Sequence, residues 1–190
     1  MPLCRRLRAL VAAGGAALVF TGVSASPAQA APPTGRDVII SNYASNWYLS
    51  TDHQTVAHGQ RTQIWDRDPM ANNGAGSVWR ISPRGDGTYS ISPSEPFGAG
   101  SRYCLSDEKG TGDGEGAVWV RDCNSGDARQ SWLIEETSSR SYVHTIVPAG
   151  HRDYALGPYR AQSASDTYVN VTRKFGRTPA TAQMWKINYA

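Results

Sequence analysis

Neither a surplus of one charge nor a long apolar run marks this 190-residue chain. It has 19 basic and 16 acidic residues, and Arg5, Arg6 and Arg8, the only charged residues among the first 30, account for the whole difference. The rest is balanced, and a phosphate-binding surface needs a cationic surplus, so nucleic acid is not an expected partner. No segment after the leader is apolar enough for a membrane span. Apolar residues at helical spacing are scarce, which argues against an all-α bundle. Cysteine is scarce too: there are three, and neither Cys104 nor Cys123 has a Cys or His at metal-ligand spacing. Catalytic signatures are absent. His53, His58, His144 and His151 fall in no zinc-protease or nucleophile motif and read as polar surface. Asp107, Glu108, Asp113 and Glu115 do not follow the order of a calcium loop and read as a solvated hairpin loop. The glycine-rich run among them is not followed by a helix, so it is no phosphate loop. Neither an enzyme nor a cofactor is expected.

The first thirty residues have the form of an export signal: Arg5-Arg6-Leu7-Arg8, an apolar run from Leu10 to Val23, and Ala28-Gln29-Ala30 as a small-x-small cleavage site. The expected mature chain is residues 31–190, with a short tail over 31–36 and one domain over 37–190, secreted and without a membrane anchor. Cys4 leaves with the signal. Cys104 and Cys123 then form an even pair in an oxidising compartment, where a disulfide is expected. Closing a loop of about 20 residues stabilises by about 3 kcal/mol.

A threefold repeat organises the remainder. Trp79, Trp132 and Trp185 are spaced 53 and 53 residues apart. Two of them close Gln-x-Trp triplets, Gln130-Ser131-Trp132 and Gln183-Met184-Trp185, and the first copy reads Ser77-Val78-Trp79. Leu49, Leu105 and Leu156 are each followed, 15 residues later, by Ile64, Val120 and Val171. These apolar positions lie in short stretches that alternate at period two, the mark of half-buried strands. About four short strands per copy, repeated three times, predict an all-β, closed, pseudo-symmetric barrel without free edges.

The Gln-x-Trp triplets, the Cys104-Leu105 start and the run Val118 to Cys123 resemble the ricin B-chain type of lectin, over residues 37–190. The resemblance implies a β-trefoil. It also implies that Trp79, Trp132 and Trp185 fill the core while Gln130 and Gln183 satisfy backbone groups at a strand turn. Sugar sites of the family lie on the outside of each repeat: an Asp after Cys-Leu, a Gln-x-aromatic on the next strand, and an Asn before Gln-x-Trp. A carboxylate there accepts from vicinal hydroxyls and an aromatic face stacks on the sugar ring.

Carried over by position, the Asp is replaced by Ser50, Ser106 and Gly157. The strand positions hold Gln63 and Trp65, then Trp119 and Arg121, then Asn170 and Thr172. The late Asn is replaced by Gly76, Arg129 and Ala182. Asp107 is one residue late, and alternation turns it to the other face unless a bulge intervenes. If Thr62, Ile64, Val118 and Val120 point inward, then Gln63, Trp65, Trp119 and Arg121 point outward. These aromatics either form a binding surface or are covered by loops such as Asn72-Asn73-Gly74. On the first reading, the copy around Gln63 and Trp65 is the best surviving glycan site, and the copy around Ser106, Trp119, Arg121 and Arg129 is the next. The expected partner is a glycan or polysaccharide. The alternative is a trefoil without sugar recognition that contacts a protein, as a protease inhibitor or a toxin-binding subunit.

Overall fold

Alternation at period two does become strand. The computed structural model describes residues 31–69, 76–94, 102–108, 115–137, 142–174 and 180–190. The leader 1–30, Asp113 and the Asn72-Asn73-Gly74 loop lie outside them. Twelve strands follow one another: β1 (Asp37–Asn42), β2 (Tyr48–Thr51), β3 (Gln60–Trp65), β4 (Val78–Arg84), β5 (Thr88–Pro93), β6 (Tyr103–Asp107), β7 (Gly116–Asp122), β8 (Trp132–Glu136), β9 (Val143–Pro148), β10 (Tyr154–Pro158), β11 (Thr167–Arg173) and β12 (Met184–Tyr189).

Their pairing is threefold. β1, β4, β5, β8, β9 and β12 pair in a closed ring, so this barrel has no free edge. The hairpins β2–β3, β6–β7 and β10–β11 form a cap. Their second strands close a triangle, β3 with β7, β7 with β11 and β11 with β3. This is a β-trefoil.

The repeat positions fill its core. Leu49, Leu105, Leu156, Ile64, Val120, Val171, Trp79, Trp132 and Trp185 are all fully buried. Each Trp also finds a partner for its ring N–H within its own copy. Nε1 donates to the carbonyl of Leu49 at 2.8 Å, of Leu105 at 3.0 Å and of Leu156 at 2.9 Å. One bond thus ties the barrel strand that carries the Trp to the cap hairpin that carries the Leu. The Gln side chains act as splints. Gln130 Nε2 donates to the Asp122 carbonyl at 2.9 Å while its Oε1 accepts from the Asn124 N–H at 2.8 Å. Gln183 does likewise with the Thr172 carbonyl at 3.0 Å and the Ala180 N–H at 3.0 Å. Cys104 and Cys123 are joined in a disulfide across the second hairpin, with Cα atoms 4.9 Å apart.

One histidine departs from expectation. His144 on β9 is not surface: it is 1% exposed, at the barrel position where the first copy has Val38. Its Nδ1 is buried without a hydrogen-bond partner. Burial holds its pKa below the usual 6.5, against the opposing pull of Glu136.

Candidate functional site

The three cap hairpins carry equivalent outer faces. The ladders pair Ser50 with Gln63, Ser106 with Trp119 and Gly157 with Asn170. The carried-over positions therefore do face one another across each hairpin. What surrounds them differs from copy to copy.

In the second copy the ladder runs on past Asp107, because the Glu108 N–H donates to the Ala117 carbonyl at 3.0 Å. Alternation then returns Glu108 to the face of Ser106 and Trp119. Its carboxylate gathers three of the four residues assigned to this copy, Ser106, Arg121 and Arg129. Oε1 accepts from Arg121 Nε at 3.0 Å and from the Ser106 hydroxyl at 3.3 Å. Oε2 lies 3.5 Å from Arg129 Nη1. Arg129 reaches in from the single 3-10 turn Ala128–Gln130 and is braced by Asp127, at 3.0 Å to Nε and 2.7 Å to Nη2. That hydrogen bond with Arg129 lowers the Asp127 pKa, and the same bond, with the charges of Asp127 and Glu108, holds Arg129 still more firmly protonated. Trp119 is half-buried, with the Arg121 guanidinium 5.0 Å and the Arg61 guanidinium 5.6 Å from its ring centre. Gly59, at φ +81°, makes room for Arg121: a Cβ there would stand 3.1 Å from Nη1. The arrangement offers carboxylate acceptors, guanidinium donors and an indole on one open face, the complement of a polyol.

The first copy, expected to hold the best-preserved site, is different. Ser50 and Gln63, expected on an open face, are 0% and 1% exposed. The chain segment at Gly76 and Ser77 lies against Ser50 and Thr51. The Gly76 carbonyl accepts from the Thr51 N–H at 2.7 Å, and Ser77 Oγ donates to Ser50 Oγ at 2.9 Å. Gly76, at φ +68°, packs so tightly that a Cβ would meet Thr51 Oγ1. Only Trp65 stays half-exposed, with Arg67 5.3 Å from its ring centre. In the third copy Asn170 is 7% exposed, and Gly157 lies against Gln183, whose Cγ is 3.2 Å from where a Cβ would be.

Ser106 too is buried, so its hydroxyl orients Glu108 rather than meeting solvent. Asp107 follows Leu105 to the inner side, opposite Val118, as alternation requires. Glu108 is the residue that sequence reasoning missed, having been read as part of a solvated loop. The signal was present: the parity that rejects Asp107 selects Glu108. Among the described residues no group of three His, Cys, Asp or Glu side chains is placed to share a metal ion. A cavity of about 600 Å³ lies elsewhere, between the β4–β5 hairpin and the segment after β7.

No family model and no curated protein matches this sequence. Solved structures do match the fold. A designed threefold-symmetric protein, ThreeFoil, superposes with TM-score 0.67 at 17% identity over 81% of this chain and 99% of its own. The Rhizoctonia solani agglutinin superposes with TM-score 0.64 at 15% identity, covering 84% and 98%. The C-terminal half of an earthworm R-type lectin, solved in complex with GalNAc, superposes with TM-score 0.58 at 12% identity, covering 82% and 99%.

Proposed function

We propose that the chain is a secreted, non-catalytic carbohydrate-binding module, and that the outer face of its second cap hairpin is the principal site. The observation that carries this reading is the convergence of Ser106, Arg121 and Arg129 on the Glu108 carboxylate, with Trp119 beside Ser106 on the ladder and Arg121 near its ring. Glu108, 22% exposed, accepts from sugar hydroxyls; Arg121 and Arg129, 29% and 55% exposed, donate to ring and hydroxyl oxygens. The Trp119 ring packs on the apolar side of the sugar. Glu108 thereby takes the chemical role of the family's Asp from two residues further along the chain. The agglutinin and the GalNAc-bound lectin among the similar folds support a glycan as ligand by analogy only. The export signal and the disulfide support action outside the cell. One shallow site binds weakly and does not cross-link, so the monomer is not expected to agglutinate cells.

The test is a glycan and polysaccharide array probed with oxidised protein, residues 31–190. Binding that falls at least tenfold in Trp119→Ala and in Glu108→Gln, and less than threefold in Trp65→Ala, is the expected result. Binding untouched by Trp119→Ala contradicts the placement. The absence of the family's Asp from every copy favours a second reading, a trefoil that contacts a protein. A blank array from folded protein would favour that reading over the first.

A further inference from the structure

The centre of the cap holds a cation, Arg61, that no carboxylate among the described residues neutralises. Arg61, Ala117 and Tyr168 occupy equivalent positions, each just before an inward residue, Thr62, Val118 or Val169, that is fully or almost fully buried. The strand triangle pairs Arg61 with Trp119, Ala117 with Asn170 and Tyr168 with Gln63, so these residues ring the pseudo-threefold axis on the outside of the cap. Three arginines here would repel one another. The chain places one arginine, one tyrosine and one alanine instead.

Arg61 is stacked and under-used. Its guanidinium lies 3.8 Å from the centre of the Tyr168 ring, and its Nη2 donates to Asn170 Oδ1 at 3.1 Å. A guanidinium has five N–H donors, and this is the one hydrogen bond it makes among the described residues. Its Nε is buried without an acceptor, and so is Nε2 of Gln63 on the same side of β3. Arg80, Arg102, Arg121 and Arg129 each have a carboxylate within 4 Å, whereas Arg61 forms no ion pair among the described residues. The axis is thus rich in donors and positive charge and poor in acceptors. Tyr168, 38% exposed, adds an open aromatic ring, and Trp119 links the axis to the face around Glu108.

We propose that the cap axis is an anion subsite centred on Arg61, and that it directs the module to acidic saccharides, those bearing a carboxylate or sulfate. The anionic group pairs with the free edge of the guanidinium, and the sugar ring packs on Tyr168. The inference rests on the carbohydrate reading above and adds the charge class of the ligand. A neutral polymer leaves Arg61 unpaired on binding, so it is bound less well.

Matched polymers separate the two ideas: polygalacturonate against its fully methyl-esterified form, and dextran sulfate against dextran, titrated into oxidised protein 31–190. At least one acidic member is expected to bind tenfold or more tightly than its neutral partner. That margin should shrink with added salt and vanish in Arg61→Gln, with neutral binding kept. Should Arg61→Gln fail to fold, Tyr168→Ala, on an exposed ring, should lower acidic affinity at least threefold. Equal binding of acidic and neutral members, indifferent to Arg61→Gln, overturns the subsite and leaves the carbohydrate reading standing. Failure of folded protein to bind any polymer overturns both. Competition by inorganic sulfate as effective as by the acidic polymer, at equal charge concentration, reduces the axis to an unspecific anion site and overturns the saccharide assignment.

Discussion

The first and second cap hairpins share a register, a buried Leu and a buried Trp bonded to that Leu, yet one outer face is sealed and the other open. In the first copy, Ser77 stands where the others have Gln and bonds Ser50, so the segment at Gly76 settles on the hairpin. In the second copy, Gln130 instead splints Asp122 and Asn124, a disulfide ties the base of the hairpin, and the face is left to Glu108 and two arginines. Threefold symmetry constrains what fills the barrel, because every copy meets the same axis. It leaves the outer faces free to diverge.

The core half of that comparison breaks most visibly. Trp79→Ala, Trp132→Ala and Trp185→Ala should each destabilise by about 3–5 kcal/mol in denaturant unfolding, since each removes a buried indole and orphans a Leu carbonyl. A near-neutral result in any one copy would mean that the copies are not equivalent inside. The disulfide belongs to the second copy alone. Cys104→Ser with Cys123→Ser should lower stability by about 3 kcal/mol by the loop-entropy estimate, measured as the shift of the unfolding midpoint at constant slope.

Smaller effects sharpen the contrast between the splints. Gln130→Ala leaves the Asp122 carbonyl and the Asn124 N–H without their partner and should cost about 1–3 kcal/mol. Ser77→Ala loses the hydroxyl's bond to Ser50 and a long one from Gln54 and should cost about 1 kcal/mol. Equal costs would remove the structural reason for the different faces.

The smallest effect is on pH dependence, at the barrel position where Val38 of the first copy gives way to His144. The folded pKa of His144 lies below the unfolded value of 6.5, because burial disfavours the charged ring. The unfolded chain therefore takes up a proton that the folded one resists. Stability is full above pH 6.5 and is lost as pH falls below it, through the window down to the folded pKa. His144→Gln should flatten that part of the stability profile. An unchanged slope in the variant would assign the loss to other groups.

Much of this was legible in the sequence because it is periodic. Trp spacing, the Leu positions and two-residue alternation fix which side chains meet the axis, and burial follows from them. The outer faces were less legible because they depend on contacts between segments far apart in the chain. Nothing near Ser50 announces that Gly76 and Ser77 will bond to its strand. His144 looked like surface because its neighbours on β12 come from the far end of the chain. Glu108 is the instructive case: its role was present in the parity of β6, but the ladder had to extend beyond the hydrophobic pattern for that parity to hold.

On this reading the second outer face, not the first, meets the ligand. The most direct measurement is an NMR titration of the six tryptophan indole N–H signals with the best-binding saccharide. The Trp119 signal should move with saturation while the three core indoles and Trp65 stay in place. Movement of Trp65 with a silent Trp119 would contradict it.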